Sequence, residues 1–392
     1  MIKEFTISNF GSIKDEVKIS FGISQKDMLD ASSFRSTCGN YLNSIVTMIG
    51  NNGAGKSNIL KALFFFLIFI HESYFQPDLY DYMQVMPHIL SKDEPIKFKI
   101  IFELNSKEYR YEIHIKEGIV LYEYLGIHRE RAYSCIYEIK RENNIINIVN
   151  WKFKAKLNDF DKERFEKKGK SSLFSFLLST GHLQTMEIDK ITNFDMVTIG
   201  LPSTERLVNR ITKDPNKLKK IQNFIGDYGL GFEKIDIESI DSNQREIQFS
   251  TNTKNIVFVH KSLDKTFKLP LAAESTGTRR MCHILDRLIP ILDKGGVLIC
   301  DELETSIHPC LINDIIESFA KKNQNHAQLL FSTHLSLLLD KRTKSQIYLI
   351  KKDNNLSTKS SRLDENKKVR NKDKFCNKYL KGEYVNMEKK WV

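Results

Sequence analysis

Alternating hydrophobic and polar positions in two parts of the chain predict β-strands. Residues 1–23 alternate in two short runs, and a longer series of such runs lies between residues 96 and 141. Because successive side chains of a strand point to opposite faces, a period of two indicates half-buried strands. Turn-forming residues separate the later runs, which predicts an antiparallel meander of Ile96–Phe102, Tyr109–Ile115, Ile119–Ile127 and Tyr133–Arg141.

A second pattern consists of short runs that are apolar at almost every position. Such runs are typical of parallel strands that helices cover on both faces. They lie at Ser44–Ile49, Val297–Cys300, Gln328–Ser332 and Ser345–Ile350. Helical patterns follow three of these runs, from Asn58 to about Ser73, at Cys310–Ala320 and at Leu335–Asp340. This order predicts an α/β protein with a parallel sheet. Residues 24–43 and 75–90 are predicted to be loops.

Four regions are therefore predicted. Residues 1–150 and 231–350 carry the strand patterns and form two lobes, while residues 151–230 form a helical insertion. Residues 351–392 are polar and form a basic, only partly ordered tail. The clearest helical patterns of the insertion are Asp159–Lys170 and Lys217–Asp227, and Pro202 and Pro215 are expected to interrupt its helices.

The composition is that of a folded protein from a reducing compartment. Hydrophobic residues make up 41% of the 392 positions, enough for a sizeable core. The six cysteines include no Cys-x-x-Cys pair, which argues against a zinc site or a disulfide framework. The N-terminus has no apolar signal core, and the apolar run Ala62–Ile70 is too short to span a bilayer. We therefore expect a cytoplasmic protein without a membrane partner.

Positive charge is concentrated near the C-terminus. The formal net charge is +11, and residues 341–392 contain 16 Lys and Arg against 6 Asp and Glu, a net of +10. Residues 151–170 contain 8 Lys and Arg against 4 Asp and Glu. Such clusters can neutralise the phosphates of nucleic acid, but they equally suit a solvated surface or an acidic protein partner. Nucleic acid is therefore one of three open interpretations of the basic tail.

Residues 50–57 read Gly-Asn-Asn-Gly-Ala-Gly-Lys-Ser and match the phosphate-binding loop pattern G-x-x-x-x-G-K-[ST] at every fixed position. A strand pattern precedes the loop and a helical pattern follows it, as this motif requires. Glycines let backbone N–H groups turn towards phosphate, and the helix N-terminus adds its positive dipole end. Lys56 can reach the terminal phosphates, and the Ser57 hydroxyl can bind magnesium. The predicted ATP-binding residues here are Gly50, Asn51, Asn52, Gly53, Ala54, Gly55, Lys56, Ser57 and Asn58.

Two later strand ends carry candidate catalytic residues. Asp301 and Glu302 directly follow the run Val297–Cys300, which is the Walker B form. At such a strand end Asp301 can hold the magnesium shell and Glu302 can polarise the attacking water. His334 follows the next run, and loops at the carboxyl edge of a parallel sheet converge on the ligand. His334 is thus a candidate for binding the γ-phosphate or the water, although a lone histidine after a strand is often a surface residue.

A further helix start precedes the acid pair. Ser275 and Gly277 open a helical pattern that continues through Met281 to Leu285. Ser275 is a plausible N-cap of that helix. The same exposed helix N-terminus, with its small residues, also suits a second phosphate-binding surface. Both interpretations fit the sequence.

Taken together these motifs resemble the ABC-type ATPase heads of the RecF, SMC and OLD group. They are most similar to a prokaryotic ATP-binding protein family linked to phage defence. The segments that carry the resemblance are Asn9–Asp15, the phosphate-binding loop, Glu274–Thr278 as a variant ABC signature, Asp301–Pro309, Ala327–His334 and Tyr379–Tyr384. The family's Q-loop glutamine is not assigned, because neither Gln76 nor Gln84 has a decisive context.

The resemblance implies an α/β P-loop NTPase of the ABC-ATPase head type, with a mixed sheet, an antiparallel meander and a helical insertion. It implies a homodimer in which ATP and Mg²⁺ lie between Lys56 and Ser57 of one copy and Ser275 and Gly277 of the other, and it leaves a higher oligomer open. OLD proteins append a Toprim nuclease, and the residues after Ile350 are too few for one, so we expect no nuclease in this chain.

The predicted function is ATP hydrolysis coupled to control of an effector in antiviral defence, with a separately encoded nuclease or toxin as partner. In this mechanism Glu302 and His334 position the attacking water, and Ser57 and Asp301 hold magnesium. The alternative is a DNA-binding ATPase of DNA repair or maintenance that uses the basic tail. A scaffold that binds ATP without appreciable turnover is a third hypothesis.

Overall fold

Two large sheets with a helix between them organise the molecule. The computed structural model describes residues 1–23, 29–142, 145–152, 163, 165–166, 169–181, 193–198, 204–225, 232–239, 254–263, 265–371 and 373–384. The α-helices of these residues are α1 Lys56–Glu72, α2 Leu79–Tyr82, α3 Leu173–Ser179, α4 Thr204–Thr212, α5 Pro215–Ile225, α6 Thr276–Lys294, α7 Pro309–Lys322 and α8 Phe375–Leu380. Short 3₁₀ turns lie at Ile89–Ser91, Leu271–Ala273, Ser336–Lys341, Lys344–Gln346 and Leu363–Glu365.

The first sheet is the predicted antiparallel meander, extended at both ends. Its strands are β1 Ile2–Ser8, β2 Val17–Ser20, β6 Ile96–Leu104, β7 Lys107–Lys116, β8 Ile119–Arg129, β9 Ala132–Glu142 and β10 Ile145–Trp151. They lie in the order β10-β9-β8-β7-β6-β1-β2, with every neighbouring pair antiparallel. The edge strand β10 was not predicted, because its residues are mostly exposed and do not alternate regularly.

The second sheet carries the four predicted buried runs. Its strands are β5 Ile45–Ile49, β11 Phe194–Val197, β15 Val297–Cys300, β16 Gln328–Thr333, β17 Ile347–Lys352 and β18 Thr358–Arg362. Their order is β11-β15-β16-β5-β17-β18, and only the β17–β18 pair is antiparallel. The two smaller sheets are β3 Ser33–Arg35 with β4 Tyr41–Asn43, inside the predicted loop 24–43, and β12 Lys234–Ser239, β13 Lys254–Ser262 and β14 Lys265–Pro270.

Helix α1 is apolar around most of its circumference because it is buried between the two large sheets. Phe66 of this helix stacks on Phe98 of the first sheet, with ring centroids 5.3 Å apart. The same core includes Ile299 and Leu330 of the second sheet. The side chain of Gln328 also exchanges two 2.7 Å hydrogen bonds with the backbone of Ile2, which ties the sheets together directly.

Residues 151–230 differ from the predicted helical insertion. The strand β11, inside this region, pairs in parallel with β15 and so belongs to the second sheet. It was missed because it has only four residues and includes Asp195, whose carboxylate pairs with Arg287. Pro215 does not interrupt a helix but is the first residue of α5, where its missing N–H costs no helical hydrogen bond.

The other predictions for this region have mixed outcomes. The predicted helix Lys217–Asp227 is observed as part of α5, which ends at Ile225. Most of the predicted helix Asp159–Lys170 and all of Pro202 lie outside the described residues. The domain boundaries at residues 150, 230 and 350 stay predictions.

The predicted partly ordered tail is folded over most of its described residues. Strand β18 pairs with β17, and α8 packs with Leu339 and Ile347 in a third core. This order was missed because the segment is rich in lysine, and its few apolar residues are buried only through contacts with distant elements. The predicted loop 75–90 likewise contains the short helix α2. No helix among the described residues has the length and apolar character needed to cross a membrane.

Candidate nucleotide-binding site

The phosphate-binding loop lies at the carboxyl end of β5, near the middle of the second sheet. Helix α1 begins at Lys56, directly after Gly55. A Cβ atom on Gly55 would lie 2.0 Å from the Thr358 hydroxyl oxygen, and Gly55 has a φ of +104°. A Cβ atom on Gly50 would lie 2.0 Å from the carbonyl oxygen of Ile350. Both positions therefore require glycine, and the strand–loop–helix context predicted for the motif is observed.

Lys56 is buried beneath the loop that precedes it. Its ammonium donates to the carbonyl oxygens of Gly50 at 2.8 Å and Asn51 at 3.2 Å. Burial lowers the pKa of Lys56, and the nearby carboxylates Glu302, Asp301 and Glu304 oppose that shift. The ammonium is thus held against the backbone of its own loop, within reach of the cavity that the loop lines.

The acid pair lies at the carboxyl end of β15, two strands away. The Asp301 carboxylate accepts a 2.7 Å hydrogen bond from the Ser332 hydroxyl, and that hydroxyl accepts a 2.8 Å bond from the backbone N–H of Glu302. Glu302 has a φ of +46°, in the left-handed region, so its backbone turns sharply away from the strand. Ser332 thereby fixes both acids. Sequence reasoning missed this role, although Ser332 lies two residues before His334.

His334 lies beside Glu302 because β16 is the parallel neighbour of β15. Its Nε2 atom is 3.6 Å from Glu302 Oε1, and its backbone N–H donates to Glu304 Oε1 at 2.5 Å. Glu302 and His334 are each about one-third exposed. Both line one cavity of about 340 Å³ together with Ser12, Asn52, Gly53, Ala54, Gly55, Lys56, Ser57, Asn58 and Lys352. Gly50 and Asn51 form the base of the loop through their contacts with Lys56.

The Ser57 hydroxyl and the Asp301 carboxylate are oxygen donors of the kind that the expected magnesium ion prefers. Ser57 faces the cavity, and the buried carboxylate of Asp301 lies one residue before Glu302. A magnesium ion that accompanies ATP takes only one or two protein oxygens and completes its shell with phosphate and water. Ser57 and Asp301 supply that number. The described residues contain no cluster of three or more His, Cys, Asp or Glu that could hold a metal without such a ligand.

Ser275 and Gly277 lie at the start of helix α6. Ser275 caps helix α6, since its hydroxyl accepts a 3.1 Å hydrogen bond from the backbone N–H of Thr278. A Cβ atom on Gly277 would lie 2.7 Å from the carbonyl oxygen of Ser306, so the helix start packs closely on the segment after the acid pair. Neither residue lines the cavity. The N-cap interpretation is thus confirmed, and the phosphate-binding role of these two residues stays a prediction.

Arg280 connects the start of α6 to the acid pair. Its buried guanidinium donates to the carbonyl oxygens of Asp301 at 3.2 Å and Glu302 at 3.4 Å, and it also contacts that of Thr198. Burial lowers the pKa of Arg280, and the neighbouring acidic side chains oppose the shift. Sequence reasoning missed this residue because an arginine in a helical pattern is usually exposed.

Comparison with known families assigns the chain. A sequence profile described as "AAA domain, putative AbiEii toxin, Type IV TA system" matches residues 45–340. The chain belongs to this AAA-domain family. The matched range includes the phosphate-binding loop, the acid pair and His334. The predicted ATPase family is confirmed. No curated protein matches the chain.

Three solved structures are similar to this AAA-domain protein, and the first described here supports its fold. An SMC head bound to the C-winged helix domain of ScpA has a TM-score of 0.51 at 12% identity, and the match covers 93% of this chain and 99% of that chain. An SMC head domain from Thermotoga maritima has a TM-score of 0.44 at 12% identity, covering 92% and 98%. An Smc head with an extended coiled coil, from Pyrococcus furiosus, has a TM-score of 0.47 at 10% identity, covering 93% and 97%. The predicted fold class, a P-loop NTPase of the ABC-ATPase head type, is confirmed.

Proposed function

We propose that this AAA-domain protein hydrolyses ATP in a site that a second copy of the chain completes. The observation that carries this proposal is the position of Glu302 and His334. Both line the same cavity as the phosphate-binding loop, although they come from two other strand ends. A loop that only bound a nucleotide would not need a carboxylate and an imidazole at that place.

In the proposed mechanism Glu302 accepts the proton of the attacking water. One oxygen of its carboxylate accepts a 3.3 Å hydrogen bond from the Thr305 hydroxyl, and the other lies 3.6 Å from His334. These contacts orient the carboxylate within the cavity, so that it is pre-positioned for general-base chemistry. His334 would donate to the water or to the γ-phosphate. Lys56 neutralises phosphate charge, and a magnesium ion held by Ser57 and Asp301 would supply further charge stabilisation.

The second copy would provide the phosphate-binding surface that one chain lacks. The N-terminus of α6 is exposed at Ser275, and its free backbone N–H groups suit an anion. We propose that Ser275 and Gly277 of one copy close on the γ-phosphate bound by the loop of the other. Because the same pair of surfaces meets twice about a two-fold axis, the product is a closed homodimer with two sites.

The proposed cellular role is control of an effector in antiviral defence by ATP-driven closure of the dimer. The family description, which names a putative toxin of a toxin–antitoxin system, supports a connection with a separately encoded partner. Two paired cations bear on the alternative, a DNA-binding ATPase that uses a basic C-terminal tail. Lys359 pairs with Asp15 and Asp353, and Lys378 pairs with Asp373. These pairs lower the net positive charge that this part of the tail presents to nucleic acid.

Mixing two inactive variants tests the composite site. Lys56→Ala disables the loop, and Ser275→Asp keeps an N-cap residue while placing a negative charge against the γ-phosphate. We expect each variant alone to release phosphate at least about tenfold more slowly than the wild type. In an equal mixture, half of the dimers would hold one intact site, so activity should rise to about a quarter of the wild-type value.

The mixing experiment has a clear contrary outcome. If the two variants form mixed dimers, detected with two different affinity tags, and phosphate release stays at the level of the separate variants, then the site is not shared between copies. If Ser275→Asp alone keeps wild-type activity, the helix start has no part in the reaction.

A further inference from the structure

We propose that Lys352, at the end of β17, binds a phosphate oxygen of the nucleotide. We further propose that Thr358, at the start of β18, positions the phosphate-binding loop for that contact. The inference rests on the proposed ATP-binding function and adds two residues that no family motif assigned. Both come from the segment predicted to be a basic tail. The antiparallel pair of β17 and β18, here called the C-terminal hairpin, would therefore serve ATP rather than nucleic acid.

The position of β17 brings Lys352 to the site. Strand β17 is the parallel neighbour of β5, so the carboxyl ends of both strands lie at the same edge of the sheet. The carbonyl oxygen of Ile350 lies against Gly50, where no Cβ atom would fit. Lys352, two residues later, lines the nucleotide cavity together with Lys56 and Ser57.

Charge pairing distinguishes the two faces of the hairpin. Lys352 lies directly opposite Thr358 and Lys351 directly opposite Lys359, and residues directly opposite each other point to the same face of a sheet. On the face away from the cavity, Lys359 pairs with the carboxylates of Asp15 and Asp353. Within the described part of the chain no carboxylate lies within 4 Å of the Lys352 ammonium. Its charge is therefore available to an anionic ligand in the cavity.

Hydrogen bonds fasten the hairpin to the loop. The fully buried hydroxyl of Thr358 donates to the carbonyl oxygen of Ala54 at 3.0 Å. It lies 2.7 Å from the hydroxyl of Ser12, and Asn58 Nδ2 donates to that hydroxyl at 2.7 Å. The backbone N–H of Thr358 also donates to the carbonyl oxygen of Ser12 at 2.8 Å.

These bonds form one directed chain. Since the Thr358 hydroxyl donates to Ala54, Ser12 donates to Thr358 and accepts from Asn58. This series of hydrogen bonds begins at Asn58 on the first turn of α1. It passes through Ser12 and Thr358 and ends at Ala54 of the phosphate-binding loop. Because Thr358 lies directly opposite Lys352 in the hairpin, these bonds also fix the strand that carries Lys352 next to the phosphate-binding loop, which pre-organises the charge for binding.

The proposed phosphate contact is tested with a pair of neighbouring lysines. Lys352→Met removes the charge at the cavity, and Lys351→Met removes the adjacent charge on the opposite face as a matched control. We expect Lys352→Met to weaken the binding of ATP about tenfold, because it removes a charge-assisted hydrogen bond. Lys351→Met should leave the affinity within about twofold of the wild type, because surface charges outside the site contribute little. Titration calorimetry with ATP and magnesium measures both.

The positioning role of Thr358 has its own readout. Thr358→Val keeps the shape but removes the hydroxyl, and it should weaken ATP binding about tenfold because the loop loses its buried donor. Thr358→Ser keeps the hydroxyl and should restore most of the affinity. If Thr358 only stabilised the fold, the melting temperature of both variants would fall, and Thr358→Ser would not restore the ATP affinity.

The outcomes separate this inference from the proposed function. If Lys352→Met binds ATP as tightly as the wild type while Lys56→Ala loses binding, Lys352 has no phosphate contact and the nucleotide site itself stands. If Thr358→Ser is as weak as Thr358→Val, the hydroxyl does not position the loop. If the wild-type protein binds no ATP, the proposed function falls and this inference falls with it.

Discussion

Glu302→Gln is expected to bind ATP with wild-type affinity and to hydrolyse it at least about a hundredfold more slowly. The amide has the shape of the carboxylate but cannot accept a proton from water. The residue lines the cavity about one-third exposed, and the backbone bond from Glu302 to Ser332 does not involve its side chain. The substitution should therefore leave the site intact while removing the base. Steady-state phosphate release and equilibrium ATP binding are the two measurements.

Glu302→Gln also tests whether ATP causes two copies of the chain to form a dimer. Because ATP would bind but not turn over, the closed homodimer should accumulate, and light scattering after size-exclusion chromatography would show twice the monomer mass only with ATP and magnesium. Hydrolysis at the wild-type rate would exclude Glu302 as the base. Slow hydrolysis without a mass change would keep the base assignment but contradict closure of two copies on ATP.

Lys56→Ala is expected to weaken ATP binding at least about a hundredfold, because several charge-assisted hydrogen bonds to phosphate are lost together. Lys56 donates at present to the carbonyl oxygens of Gly50 and Asn51, and its burial lowers its pKa. A buried ammonium with a lowered pKa gains from a nearby anion, so the nucleotide should draw it away from these carbonyls. Fluorescence titration with a labelled ATP analogue measures the affinity.

Lys61→Ala is the matched control for this substitution. Lys61 lies on the same helix but is exposed, so its removal should leave ATP affinity unchanged. Thermal unfolding of both variants without nucleotide would show whether the fold is retained. Unchanged ATP affinity in a folded Lys56→Ala protein would overturn the assignment of the phosphate-binding loop.

The site residues that could be predicted are those whose chemistry depends on their immediate neighbours. The run from Gly50 to Ser57 needs only its own glycines and flanking strand and helix to form a phosphate-binding loop. Asp301 and Glu302 stand directly after a buried strand for the same reason. His334 was harder to assign, since its proximity to Glu302 depends on β15 and β16 being neighbours in the sheet.

The residues that escaped prediction act over long separations in sequence. Ser332 binds an acid 31 positions earlier, Arg280 binds backbone that follows it by 21 positions, and Thr358 binds Ala54 across 304 positions. A serine, an arginine or a threonine has no local pattern that marks such a partner. The strand β11 was missed for a related reason, because four residues with one acid become a strand only beside β15.

The sequence by itself determined the chemistry of this protein: a phosphate-binding loop, two acids and a histidine, each at the end of a buried run. Strand and loop preferences are local, so they can be read from consecutive residues. Only the tertiary structure decided which of these residues share a cavity and that Ser275 lies outside it. It also decided that Lys352 of the C-terminal hairpin lines this cavity and that Thr358 contacts the phosphate-binding loop. The order of strands in a sheet depends on packing between distant segments, which no local pattern specifies.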